Sequence, residues 1–175
     1  MFKLLLSCAL LFALAAAASA QRRGSDNSSP LIPGTEAPRP GSPEEELMHR
    51  AAIEREKEAF KDLVDRAKEN AKLSAEVSSS FEQNKALTGD DLKKLERMEK
   101  LARKIRSGAG GSDDDEPLKD PPQDTAGAVK MLAEVSDDLL KKVEKTSRFV
   151  TSASVVKRSN ELIELTRHVR KLSGR

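Results

Sequence analysis

Two histidines, His49 and His168, are the side chains best suited to metal or proton chemistry in this 175-residue chain. Glu46-Leu47-Met48-His49 has the Glu-x-x-His spacing that puts a carboxylate and an imidazole on one helix face. A di-iron centre built that way needs a second such pair and two further glutamates. Leu165 stands where His168 would need its glutamate, so the second pair is missing. Glu164, four residues before His168, makes only an ordinary helix-surface pair. Cys8 is the single cysteine. No serine lies in a nucleophile-elbow context, and no His-Glu-x-x-His occurs. The glycines from Gly108 to Gly111 lack the Lys-Ser/Thr ending of a phosphate loop. Asp113-Asp114-Asp115-Glu116 lacks the alternate spacing and central glycine of a calcium loop. The expectation is therefore a non-enzyme: no catalytic residue, no metal ligand, no cofactor and no small-molecule substrate.

What remains is charge. Leu92 to Arg106 carries seven Lys/Arg against two Glu, and Val155 to Arg175 carries six against two. Lys93, Lys94, Arg97, Lys100, Arg103, Lys104 and Arg106 in the first stretch, and Lys157, Arg158, Arg167, Arg170 and Lys171 in the second, are the candidate residues for an anionic partner. Against this, Glu44 to Glu69 carries nine acids and six bases. Acidic and basic helices can equally neutralise each other, and that is the preferred expectation.

The elements that would position these side chains are helices. Ser42-Pro43-Glu44-Glu45 opens the first, with a serine cap, proline at the first helical position and an acidic first turn. Its 3–4 spacing runs through Ile53, Glu56, Phe60, Leu63, Ala67, Asn70, Ser74, Val77 and Phe81. This coiled-coil-like seam is interrupted by polar residues, which weaken it or set its register. Thr88 with Asp91 resembles a capping box. The helix that follows shows Leu95, Met98, Ala102 and Ile105, flanked by Leu92 and Leu101. Asp120-Pro121-Pro122 reads as a third helix start, with Val129, Leu132, Ser136, Leu139, Val143, Thr146 and Val150 as its seam. A fourth answers with Val155, Ser159, Leu162, Thr166 and Val169. The predicted helices span 44–84, 89–106, 122–147 and 154–172, with no strands. The fold class is all-α, two antiparallel helical hairpins over 42–107 and 121–175. An acidic Gly-rich linker, 108–120, joins them. Shifting the second helix by 64 positions lays Lys93 on Lys157, Leu101 on Leu165, Arg103 on Arg167 and Arg106 on Arg170, as an internal duplication would. The second helix is too short to cover more than the C-terminal half of the first. Residues 44–62 are then left for the other hairpin or another molecule.

Ahead of the helices, residues 1–20 read as a signal peptide: Lys3, an apolar run from Leu4, and Ala18-Ser19-Ala20 before Gln21. Cleavage after Ala20 would give an exported protein, periplasmic or secreted, without cysteine and without a stable transmembrane segment. Gln21 to Gly41 is a Pro/Gly/Ser tether with the composition of a disordered linker. Asn27-Ser28-Ser29 is a glycosylation triplet of use only in a eukaryotic secretory pathway.

The pattern of leader, tether and a hairpin ending in KKLERMEKLARKIR (Lys93 to Arg106) resembles uncharacterised exported helical-hairpin proteins of bacteria. The resemblance covers about the last two-thirds of the chain and implies no known activity. Leu87-Thr88-Gly89-Asp90-Asp91 is similar to the LTxxQ motif of the Spy and CpxP type of periplasmic stress proteins, which are helical-hairpin chaperones. Asp91 stands in place of the glutamine, and Val150 to Ser154 departs further. The reading is an exported structural or protein-binding element of the cell envelope, with a protein partner or self-association. A periplasmic chaperone or stress sensor, and a binder of anionic surfaces, are the alternatives.

Overall fold

A computed structural model describes residues 41–112, 117–147 and 152–174. The expected leader, most of the tether, the acidic run 113–116 and the seam position Val150 lie outside the described residues. Four helices form: α1, Pro43–Asn84; α2, Gly89–Gly108; α3, Thr125–Lys145; and α4, Ala153–Ser173. The described residues contain no strand.

Local chemistry sets the ends. The Ser42 hydroxyl accepts from Glu45 N–H at 3.2 Å, and Pro43 costs nothing at a position whose N–H has no helical partner. Lys85, at φ 55°, closes α1 in the left-handed conformation, its N–H on the Phe81 carbonyl. Thr88 and Asp91 form the reciprocal capping box of α2. Asp91 also accepts from the Ser80 hydroxyl at 2.8 Å, so one buried carboxylate ties the turn to the end of α1. The first boundary of α3 differs from the expectation. The helix is capped by Asp124, which accepts from Gly127 N–H at 2.8 Å, and Pro121 and Pro122 precede it as extended chain. Two prolines in succession hold Pro121 out of helical geometry, and Asp124 offers the next carboxylate cap. Ser152 caps α4, its hydroxyl accepting from Val155 N–H at 3.4 Å.

The two hairpins close on each other as one bundle. Around its axis the helices follow the order α1, α2, α4, α3, each touching two neighbours. Neighbours are antiparallel. Phe81 of α1 shares a groove with Ala126 of α3, and Leu63 shares one with Thr146 at the other end. Arg106 reaches Asn160, while Glu96 reaches Arg170. Helices α2 and α3 therefore run in the same direction, and residues 109–124 must connect opposite ends of the bundle. The described parts of that connection pack along α4. Gly111 lies against Val156, where a Cβ would come within 2.8 Å of a Val156 methyl and 2.7 Å of Arg106 Cγ. Leu118 packs on the core, and the Pro122 carbonyl lies 2.7 Å from His168 Nε2. The expected linker is thus anchored at both ends.

The seams are the core. Leu63, Ala67, Asn70, Ser74 and Val77 of α1 are buried, as are Leu95, Met98, Leu101, Ala102 and Ile105 of α2. Val129, Leu132, Ser136, Leu139 and Val143 of α3 face Val155, Ser159, Leu162, Thr166 and Val169 of α4 across the same interior. Each fully buried leucine or valine contributes about 1.5–3 kcal/mol. The polar members carry a cost unless they are paired. Asn70 donates to the Met98 carbonyl at 3.0 Å and accepts weakly from Ser136 at 3.5 Å. Thr166 donates to the Ile163 carbonyl. The Ser74 and Ser159 hydroxyls find no partner.

Candidate functional site

The twelve basic candidates divide three ways. Most of the guanidiniums and two lysines are matched by carboxylates. Arg97 holds both oxygens of Glu69, at 2.8 and 3.1 Å, and Lys94 meets Glu76 at 3.0 Å. The acidic helix α1 and the basic helix α2 are thus joined by charge as well as by core. The hydrogen bond from Arg97 holds the Glu69 carboxyl below the ordinary carboxylate range, and the bond to Glu76 raises the Lys94 ammonium. Lys93 pairs with Asp90 on its own helix, 80% exposed. On the opposite face, Arg158 bonds Asp138 of α3 and Glu161 of α4. Burial would lower the Arg158 guanidinium, but its two carboxylates outweigh burial and raise it.

Glu99 is the centre of this network, and nothing in its sequence neighbourhood singled it out. It accepts from Arg103 at 3.0 Å, from Arg167 Nε at 3.1 Å and from Arg170 Nη1 at 3.1 Å, with a side chain only 15% exposed. Burial would raise its carboxyl; the hydrogen bonds from Arg103 and Arg167, and their charges, more than offset this and hold it low. Arg167 also bonds Glu164, and Arg170 reaches Glu96 at 3.5 Å. Three guanidiniums from both hairpins meet one carboxylate, so this cluster fastens α2 to α4.

Arg106 corrects the expectation of an exposed basic face. It is 1% exposed and donates to Asn160 Oδ1 at 3.1 Å. A surface partner cannot reach it. Gly111 permits this burial: its N–H bonds the Arg106 carbonyl, and its missing side chain leaves room for the arginine stem. The remaining four, Lys100, Lys104, Lys157 and Lys171, are exposed, with no ion pair among the described residues. They lie on two helices and are the part of the candidate surface open to solvent charge.

His49 lies on the exposed first part of α1. Among the described residues no group of histidine, cysteine and acidic side chains has the arrangement of a metal site. No helix among them is long and apolar enough to cross a membrane.

The other feature is the arm of α1. Pro43 to Asp62, about 30 Å of helix, contains no fully buried residue, whereas burial recurs from Leu63 onward. The seam nonetheless continues into it through Ile53 and Phe60, both partly exposed, beside Ala52. Leu47 and Met48 stand 65% and 59% exposed near its tip. Its ion pairs run along the helix itself, Arg50 to Glu46 and Lys57 to Glu54, unlike the cross-helix pairs lower down. At its base a groove of about 280 Å³ lies between Phe60 and Leu63 of α1, Gly108 and Ala109 at the end of α2, and Val155 of α4. No family model matches this chain, and neither a curated protein nor a solved structure is significantly similar to it.

Proposed function

We propose that this protein is an exported, non-enzymatic protein-binding element of the cell envelope, in which the bundle is the support and the arm of α1 is the binding element. The observation that carries the reading is the apolar seam of α1, which runs past the end of the bundle and has no covering helix among the described residues over Pro43 to Asp62. Below Leu63 the same seam is covered by α2 and α3. An amphipathic helix held away from its own core is suited to helix-on-helix recognition. The leader reading of Met1 to Ala20 supports export. The described residues offer paired charges and packed helices and no convergent set of acid, base and nucleophile, which supports a binding role.

A photo-crosslinking amino acid at Met48, compared with one at Lys171 on the bundle, tests this in the producing cell. Protein adducts at the arm and not at the bundle are expected. Equal labelling at both positions, or none at the arm, would remove the arm from the binding role. Intact mass of the same material checks the leader, with Gln21 as the expected first residue.

A further inference from the structure

We infer that a cleft along α4 is a binding site for a small organic phosphate monoester. No residue of α1 lines it, so the inference stands apart from the arm.

The cleft has a volume of about 370 Å³, within the range of small-molecule sites. Three parts of the chain build it. Ser154, Lys157, Arg158 and Glu161 recur at three- and four-residue spacing and so share one face of α4. Lys142 of α3 forms a second wall. Arg158 bonds Asp138, one turn before Lys142, and this holds the two helices together at the cleft. Pro117 to Lys119, in the connection that leads to α3, forms the third wall and is anchored where Leu118 packs on the core.

Charge gives the sign of the ligand. Lys119, Lys142, Lys157 and Arg158 line the cleft with one acid, Glu161. A second acid, Asp138, bonds Arg158 and lies 3.6 Å from Lys142. Four cations against two acids leave an excess of two positive charges. Lys119 and Lys157 are exposed and have no ion pair among the described residues. They stand on different walls, and a dianion between them matches the excess.

Donor geometry gives the class. Carboxylates are best held by the planar fork of arginine. Here Arg158 is the guanidinium of the cleft, and its Nε and Nη1 are already on Asp138 and Glu161. The two lysine ammoniums are rotatable point charges, which suit the several oxygens of a phosphate. The Ser154 hydroxyl lies 3.1 Å from Ser152 Oγ; when Ser152 donates that bond, the Ser154 O–H is left to donate into the cleft. Pro117, Leu118 and the lysine stems offer apolar surface to the organic part of the ester.

The test titrates phenyl phosphate into the isotope-labelled protein and follows backbone amide signals by NMR. Those of Ser154 to Arg158 should shift saturably, with a Kd on the order of 1 mM at about 0.15 M salt. Lys119→Gln with Lys157→Gln should weaken binding at least tenfold. Lys100→Gln with Lys104→Gln removes the same charge from α2 and should leave binding within about twofold; circular dichroism should be unchanged in both variants. Benzoate and inorganic phosphate should each bind more weakly than phenyl phosphate. No saturable shift overturns the inference, as does an equal loss in the two double variants, which marks general attraction to a basic surface. Benzoate or inorganic phosphate binding as tightly as phenyl phosphate overturns the ester assignment. Asp113 to Glu116 stand next to Pro117 in the sequence. Binding that emerges only when these four become Asn and Gln means that the chain's own acids hold the lysines, and the inference falls.

Discussion

Replacing Glu99 by glutamine removes one charge and no volume at the point where three guanidiniums meet. Arg103, Arg167 and Arg170 lie 3.0, 3.1 and 3.1 Å from its oxygens. Glutamine keeps one acceptor and turns an N–H₂ donor toward at least one cation. Arg167 retains Glu164, and Arg170 retains Glu96 at 3.5 Å; the bond from Arg103 is the one without a substitute. A hydrogen bond to a charged group is worth about 1.5–3 kcal/mol when shielded, and exposed ion pairs about 0–1 kcal/mol. With the arginines about one-third exposed and Glu99 largely covered, we expect Glu99→Gln to cost about 1–3 kcal/mol. For a domain of this size that lowers Tm by about 3–10 °C. The pH dependence identifies the cause. The Glu99 carboxyl is held low in the folded state, so its contribution is fully present above the unfolded value of about 4.3 and disappears as pH falls through the folded value. The gap between wild type and variant should be constant from pH 7 down to about pH 5 and close below about pH 4. Thermal melts followed by circular dichroism measure both. A variant within 1 °C of wild type at pH 7, or a gap as large at pH 3 as at pH 7, would refute the assignment of Glu99 as the fastening between α2 and α4.

The buried Asn70 and Ser136 pair gives a second prediction. Asn70→Ala alone leaves space and removes the acceptor of Ser136, and should cost about 1–3 kcal/mol in urea unfolding. Asn70→Leu with Ser136→Ala removes both polar groups together and should be neutral or up to about 2 kcal/mol more stable; a double variant less stable than Asn70→Ala would contradict the weak bond at 3.5 Å. On the basic faces, the partners found for eight of the twelve candidates, one of them the Asn160 amide at the buried Arg106, predict weak binding to anionic vesicles at about 0.15 M salt. Cosedimentation that is tight there, falls steeply with salt and is lost when Lys93, Lys94, Arg97 and Lys100 become glutamine would make those helices the binding surface instead.

The helices were legible because 3–4 spacing and caps are local. Ile105, four residues from Leu101 and three from Ala102, reads as core without knowledge of what covers it, and it is buried. Ser136, Ser159 and Thr166 fell on the seams for the same reason and are buried too. What was not legible depends on residues far apart in the chain. Periodicity marks an apolar face but not the helix that covers it, so the closing of the two hairpins into one bundle lay beyond it. Arg106 has the appearance of a surface residue in a run of lysines and arginines; its burial follows from Asn160, 54 positions on, and from the missing side chain of Gly111. Glu99 looked like one of two acids diluting a basic helix. Its position one residue after Met98 and three before Ala102, at the edge of the seam, was the available signal.

The 64-residue offset acquires a geometric meaning in the α2 and α4 pair. Under that shift Leu95, Met98, Leu101, Ala102 and Ile105 fall on Ser159, Leu162, Leu165, Thr166 and Val169, and every one of the ten is buried. The offset also maps Arg106 on Arg170 and Glu96 on Asn160. The structure pairs Arg170 with Glu96 and Arg106 with Asn160, so one contact appears twice, once at each end of an antiparallel helix pair. Two similar helices packed antiparallel about a two-fold axis must repeat each contact in this way. The symmetry breaks where the residue types differ. Glu99 maps on Ile163, and its own partners Arg103 and Arg167 map on each other. With a carboxylate on one side only, both guanidiniums converge on Glu99 and Ile163 is left to the core. At the other end the Asn160 amide takes the place of the carboxylate and accepts from Arg106, and the close approach of Gly111 covers the arginine stem. A near-symmetric helix pair therefore carries an open charge cluster at the Glu99 end and a buried arginine at the other. The buried end lies beside the base of the arm, where Gly108 and Ala109 line the groove.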